Sequence, residues 1–282
     1  MDSDSKARRR NYRGQKLNYF TWRVSEDGYD WSKAGLIGPI DKEKESWFLT
    51  DGVPIGSPKK MYEYVPAAGL FRHFATLETN KTALKDFAKQ HGALTNGDPI
   101  RVGDSVVIGE RLEFWKASIL AMKDLVGIWL TLTQKQSGGD LQKIIHWRDE
   151  GVTYQLNYKG GVIAARKINP ELFQRFAPGD VTGPAWHLLQ SELNEHLQRV
   201  SARMLWNHAR TKLTLYQVPQ DLMSEMWLQF ARAVDGDREY AKCEGCHNWF
   251  EIASPDGGRR DKQFCGSACR ARHWRKQREA SK

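Results

Sequence analysis

Cysteine is missing from the first 242 residues of this 282-residue chain, and all 4 cysteines fall between positions 243 and 269. That distribution excludes a disulfide framework spread through the fold, the usual device of small exported domains. No run of about 20 apolar residues is present, so no helical membrane span is expected. The opening segment MDSDSKARRRNYRGQK has no apolar stretch behind its charges, so no secretory signal is expected and the chain reads as cytoplasmic. Phosphate-binding loops, dinucleotide-binding glycine motifs and HExxH are absent, and so are internal repeats. Disorder is excluded for most of the chain, because 40% of its residues are hydrophobic and 11% aromatic, including 11 Trp. Such a length and composition suit a buried core and one or two domains.

Charge is abundant but unevenly placed. The formal net charge is +9. Lys6, Arg8, Arg9, Arg10, Arg13 and Lys16 against Asp2 and Asp4 give residues 1–16 a net of +4. Residues 259–282 hold nine Lys/Arg against Asp261 and Glu279, a net of +7, which leaves −2 for everything between. Basic blocks flanking a nearly neutral body fit contact with a polyanion, by phosphate neutralisation and counterion release. Solvated, solubilising tails are the plainer alternative, above all for residues 1–16, which read as disordered.

The cysteines are spaced C-x2-C, 18 residues, C-x3-C: Cys243 and Cys246 in CEGC, Cys265 and Cys269 in FCGSAC. Two pairs of soft thiolates at this spacing can close a tetrahedral zinc site, the alternative being free or redox thiols. The first pair suits a tight knuckle, with Gly245 supplying backbone freedom. The second pair, at i and i+4, shares one face of a helix expected over FCGSACRARHWRKQRE. Four thiolates leave no open coordination position, so one structural Zn2+ would fold the segment and would not catalyse. His247 and His273 lie close enough in sequence to replace a cysteine, although a complete cysteine set favours their being surface residues. Between the pairs, Trp249, Phe250 and Ile252 predict a strand, SPDGG (254–258) a hairpin tip, and RRDKQF (259–264) a returning strand. Knuckle, hairpin and helix in this order make a treble-clef-like finger, too small to fold without metal.

The segment CEGCHNWFEIASPDGGRRDKQFCGSACRARHWRKQR resembles the C-terminal finger of bacterial CGNR-type zinc-finger proteins. Those carry a cysteine pair, an aromatic strand, Arg-Arg before an aromatic-Cys, and a basic helix. The resemblance implies an upstream helical domain of the ABATE type and a role in transcriptional regulation. After Cys269 this chain reads Arg270-Ala271-Arg272 where the family has Gly-Asn-Arg, and its first cysteine pair is more tightly spaced. FCGSACRARHW also looks like the second half of a MYND finger, a protein-binding module, without the ligands for that module's second zinc.

Around the last cysteine pair, Arg259, Arg260, Lys262, Arg270, Arg272, Arg275, Lys276 and Arg278 are the candidate nucleic-acid contacts. At 100° per residue, Arg272, Arg275 and Lys276 share about one third of the helix circumference, a cationic face suited to a phosphate backbone or a major groove. Trp274 is expected to pack against the finger and cover the metal site.

Upstream, residues 17–235 predict a mainly α domain with a small β component, of α+β class. LNYFTWRV and SWFLT read as strands. Ala67–Glu78 and Asn80–Gln90 read as helices, the second capped by Asn80 and stopped by Gly92. Leu112, Trp115, Ile119, Met122, Val126 and Trp129 recur three and four apart within an expected long helix from Gly109 to Lys135; Phe114, Leu125, Ile128 and Leu132 widen the stripe. Asp140 is expected to cap a short helix to Arg148. VTYQLNY and VIAARKI then form a hairpin about Lys159-Gly160-Gly161. A helix is expected from Pro184 to Ala209, TLYQV as a short strand, and a last helix opened by Pro219 and running to Val234, before a link to the finger at 238–282. His146 and Asp149 read as a surface pair.

The expected function is that of a non-enzymatic zinc finger protein binding nucleic acid, DNA before RNA, with a possible protein partner or homodimer through the body. The alternatives are a protein-binding adaptor with a MYND-like finger, and an enzyme in residues 17–235.

Overall fold

A computed structural model describes residues 20–31, 35–39, 61–96, 98–102, 105–133, 139–148, 151–156, 164–167, 176–206, 211–236, 239–246, 249–253 and 261–280. Residues 1–16, the SWFLT segment, the turn at 159–161, Asp149, His247, the tip at 254–258, and Arg259 and Arg260 lie outside them.

The organising element is α3 (Leu112–Thr133), whose apolar stripe buries Trp115, Ile119, Met122, Leu125, Val126, Ile128 and Trp129. Three helices gather on it. Of these, α1 (Leu70–Ala75) contributes Phe71 and Phe74, α5 (Thr182–Leu197) Leu188, Leu189 and Leu193, and α6 (Leu222–Asp235) Met226, Trp227 and Phe230. Helix α3 packs on α1 and α5, α5 on α6, and α6 returns to α1, so one apolar core closes around the longest helix. Phe114 points outward, 40% exposed, and does not widen the stripe. Helix α2 (Lys81–His91) covers the core from the side with Leu84 and Phe87. Its start and stop are as expected: the Asn80 side chain accepts from the Ala83 N–H at 2.8 Å, and Gly92, at φ 93°, returns its N–H to the Ala88 carbonyl at 2.7 Å.

The molecule is an α+β mixture with more strand than the sequence suggested. Thirteen strands in five antiparallel sheets occur among the described residues. Strand β1 (Trp22–Ser25) pairs with β4 (Met61–Tyr64). Strands β2 (Tyr29–Trp31), β3 (Leu36–Pro39), β6 (Ser105–Arg111) and β5 (Asp98–Val102) form one sheet in that order. A short helix α4 (Gly139–Gln142) leads into β7 (Ile145–Arg148), β8 (Gly151–Leu156) and β9 (Ala164–Lys167). The expected hairpin is therefore present as β8–β9, enlarged by β7. Several boundaries change, and the helix expected over Ala67–Glu78 is shorter, Leu70–Ala75. Residues 109–111 end β6 and do not start α3, because the run Val106-Val107-Ile108 favours extended backbone. The helix expected up to Arg148 stops at Gln142, and Ile145–Arg148 joins the sheet. Helix α5 ends at Leu197, and β10 (Val200–Trp206) pairs with β11 (Leu213–Pro219). Pro219 closes β11; α6 begins three residues later on Asp221, whose carboxylate accepts from the Ser224 N–H at 2.8 Å in a capping box and pairs with Arg199 at 2.5 Å.

Two buried polar groups fix the core's assembly. Glu110, 4% exposed, accepts four hydrogen bonds: from the Leu94 N–H (3.0 Å), the Thr95 N–H (2.6 Å), the Thr95 hydroxyl (2.7 Å) and the Trp115 indole (2.9 Å). It ties the end of β6 to the loop after α2 and to the first turn of α3. Gln229 accepts from the Leu70 N–H at 3.1 Å and donates to Glu225 at 3.0 Å, joining α6 to α1.

Because both Glu110 oxygens face donors, Glu110→Gln turns an amide toward two of them. The expected loss is about 2–3 kcal/mol, a fall in thermal midpoint of several degrees, readable by calorimetry against Glu113→Gln as an exposed-helix control.

Candidate metal centre and basic helix

The C-terminal segment has a core of its own that is very small: buried Cys243, Phe250 and Phe264, with Ala241, Cys246, Ile252 and Cys269 against them. Strand β12 (Glu239–Lys242) pairs with β13 (Trp249–Ala253), Ala241 opposite Phe250 and Lys242 opposite Trp249. The Cys243–Cys246 pair thus sits at the end of a hairpin that begins before it. This corrects the expected pairing of β13 with a strand over 259–264, since Asp261–Phe264 forms a turn and irregular backbone. Helix α7 (Ser267–Ala280) follows, so Cys269 sits in its first turn while Cys265 lies in the bend before it, and the two do not share a helix face as expected. Knuckle, hairpin and helix are all present, with the hairpin strands differently assigned.

The four sulfurs converge. Those of Cys243, Cys246, Cys265 and Cys269 all lie within 4.8 Å of one another. Cys265 Sγ is 3.5 Å from Cys269 Sγ and 3.8 Å from Cys246 Sγ. A tetrahedral ion with metal–sulfur bonds of about 2.3 Å separates its ligands by roughly 3.8 Å, so the spacing fits one shared ion. A disulfide needs about 2.05 Å; all four thiols are free. The backbone supports anionic sulfur here. The Cys265 N–H donates to Cys243 Sγ at 3.3 Å, and the Glu244 N–H donates to the Gln263 carbonyl at 3.1 Å, clamping the two halves together. Burial raises the Cys243 thiol, but the N–H groups of Cys265, Gly245 and Cys246 outweigh it and bring its pKa down to about 6. Cys265 is pushed the other way by partial withdrawal from solvent and by the neighbouring sulfurs. Four crowded thiolates repel, and a shared cation is what relieves that repulsion.

Gly245 has a role other than the backbone freedom expected of it. It is not in the left-handed region. A Cβ there would stand 2.8 Å from the Cys269 carbonyl oxygen and 3.0 Å from Cys269 Cβ. The knuckle and α7 approach so closely that no side chain fits between them. His273 stays outside the sulfur cluster: its ring packs on Phe264 (5.1 Å) and its Nε2 meets the Gln277 amide at 3.0 Å.

The basic side chains divide by location. Arg270, Arg272, Arg275, Lys276 and Arg278 are exposed along α7. Lys262 is exposed before it, its ammonium 5.4 Å from the Phe250 ring centroid. Trp274 does not cover the sulfurs; it is 56% exposed, and with Ala271, Arg275 and Arg278 lines a shallow depression on the outer side of α7. Helical geometry explains this, because Cys269 and His273 occupy the inner face and Trp274 falls about 100° beyond His273.

Sequence reasoning missed how this unit is attached. Arg72 of α1, only 8% exposed, projects its guanidinium among four rings: Tyr240 (4.9 Å), Trp249 (4.9 Å), Trp129 (5.1 Å) and Phe71 (5.7 Å). Two of these rings belong to the β12–β13 hairpin and two to the body. An arginine at the centre of a helix reads as a surface residue, and no spacing rule signals a cage assembled from distant segments. Of the pair His146–Asp149, His146 Nε2 contacts Gln155 at 2.7 Å on the β7–β8 pair, and Asp149 lies outside the described residues.

Searches against protein-family models, curated proteins and solved structures find no match to this chain.

Gly245→Ala in the full chain is expected to weaken binding of a thiophilic ion by at least about tenfold while leaving the body intact. Titration with Co2+, followed through its sulfur-to-metal charge-transfer band, reads the first effect; the far-ultraviolet dichroism of the helices reads the second. Unchanged Co2+ affinity contradicts the close-approach account.

Proposed function

We propose that the chain is a zinc-finger protein that binds nucleic acid, duplex DNA in transcriptional control before RNA, and that Cys243, Cys246, Cys265 and Cys269 hold a single structural Zn2+. The observation that carries this reading is that α7 is anchored at its first turns and exposed beyond them. Cys269 and His273 turn inward to the sulfur cluster and Phe264, while Arg272, Arg275 and Lys276 lie exposed within about one third of the circumference. The metal centre would then hold a cationic helix in a fixed pose, which places charge against phosphates at small entropic cost. Arg270 and Arg278 carry charge onto other sides of α7, Lys262 lies exposed before it, and Arg259 and Arg260 add charge next to it in sequence. Trp274, exposed between Arg275 and Arg278, is available to a sugar or a base edge. Zinc is favoured over harder ions by the all-sulfur donor set, and it supplies structure only, because four thiolates complete its coordination. The finger's resemblance to CGNR-type proteins supports the same reading.

Titration of the zinc-loaded chain with duplex DNA and with RNA at two salt concentrations tests it. Binding should weaken with salt, each phosphate contact contributing about 0.9 to the log–log slope. The variant Arg272→Gln/Arg275→Gln/Lys276→Gln should lose affinity and flatten that slope while retaining its metal. Stoichiometric zinc without affinity for any nucleic acid overturns the reading and favours a protein-binding adaptor.

A further inference from the structure

The hairpin of β10 and β11 forms a two-stranded sheet with no further strand beside it among the described residues. Its register places Ala202 opposite Gln217, Met204 opposite Leu215 and Trp206 opposite Leu213, so these six side chains share one face. All six are exposed. The large ones are unusually so: Met204 56%, Trp206 62%, Leu213 55% and Leu215 64%. The other face, with Ser201, Leu205, Thr214, Tyr216 and Val218, is half-buried. A polar ribbon with its apolar side turned to water reverses the ordinary arrangement, and a lone two-stranded hairpin is marginal in water without a covering layer.

We infer that this face is a homodimer interface, and that a second copy of the chain covers it. Three features favour the chain's own copy over another occupant. The six side chains are themselves uncharged, and although Arg232 donates to the Gln217 amide oxygen at 3.4 Å at the root, the centre and tip of two copies meet without like-charge repulsion, even with +9 on each chain. Its exposed side chains offer roughly 500 Å² per copy, about 1,000 Å² across a two-fold axis, which reaches the lower limit for a specific interface. The face is also graded in size along its length, from Ala202 and Gln217 at the root to Trp206 and Leu213 at the tip. Stacked with strand directions reversed, the bulky tip of one ribbon lies over the small root of the other. Met204 and Leu215 then meet their equivalents at the centre. The product is a four-stranded sandwich about 10 Å thick, closed and isologous. This inference does not rest on the metal or nucleic-acid readings. Were both to hold, the dimer would present two basic helices.

Sedimentation velocity on the full chain between roughly 1 and 100 µM tests it. Wild type should pass from the 32.4 kDa of one chain to twice that mass. Because salt screens repulsion between two basic chains, the transition should move to lower protein concentration as salt rises, opposite in sign to nucleic-acid binding. Leu215→Glu and, as a substitution at a small exposed site that the fold tolerates, Ala202→Glu should each hold the chain at one copy, with helix dichroism unchanged. Arg203→Glu, on the opposite face, should leave the transition in place. A wild-type chain that stays monomeric across the range overturns the inference, whether the face then binds lipid vesicles or nothing. It is overturned equally by a dimer that survives Ala202→Glu.

Discussion

The convergence of four sulfurs on one point is the constraint on which the C-terminal unit depends. Three buried side chains, Cys243, Phe250 and Phe264, are far too few to offset the ordering entropy of some forty residues. Without a cation, the thiols work against one another, since withdrawal from solvent and the neighbouring sulfurs raise Cys265 even as backbone N–H groups lower Cys243. Every neighbouring feature is arranged around that point. The hairpin delivers two sulfurs, the bend before α7 and its first turn deliver one each, and Gly245 leaves room for the pieces to meet.

Arg72 carries the second connection, between this unit and the body. A buried guanidinium among four rings is stabilised by their quadrupoles and by packing of its aliphatic stem, and burial lowers its pKa. Its Nε makes no hydrogen bond among the described residues. The cage is shared, Trp129 and Phe71 from the body and Tyr240 and Trp249 from the hairpin, so it exists only while both halves are in place. Order at the sulfur cluster and order at α1 are thereby linked across a few residues of β12 and β13.

What could be read in the sequence was whatever rests on local chemistry. The α3 stripe, the Asn80 cap and the Gly92 stop appear as the residues indicate, because each depends on neighbours within one or two turns. The grouping of the four cysteines followed from spacing alone. The failures have a common cause in ambiguous periodicity. Val200 and Met204 continue the helical spacing of Leu189, Leu193 and Leu197, yet positions four apart also share a face in a strand, and β10 forms. Ile145 and Trp147, two apart and so on one strand face, fall instead within the helix expected from the Asp140 cap. Strand partners in the finger were misassigned because aromatic residues favour extended backbone without specifying which segment pairs with them. Trp274 was placed inward on hydrophobicity, whereas its angle from Cys269 and His273 sets it outward. The Arg72 cage and the Glu110 junction depend on segments dozens of residues apart, and only the folded chain brings them together.

X-ray absorption at the zinc edge of the purified, reduced full chain tests the central claim most directly. The account predicts one zinc per chain with four sulfur scatterers at about 2.3 Å and no nitrogen or oxygen in the first coordination sphere. A mixed nitrogen–sulfur environment, or a reduced chain that retains no zinc, contradicts it.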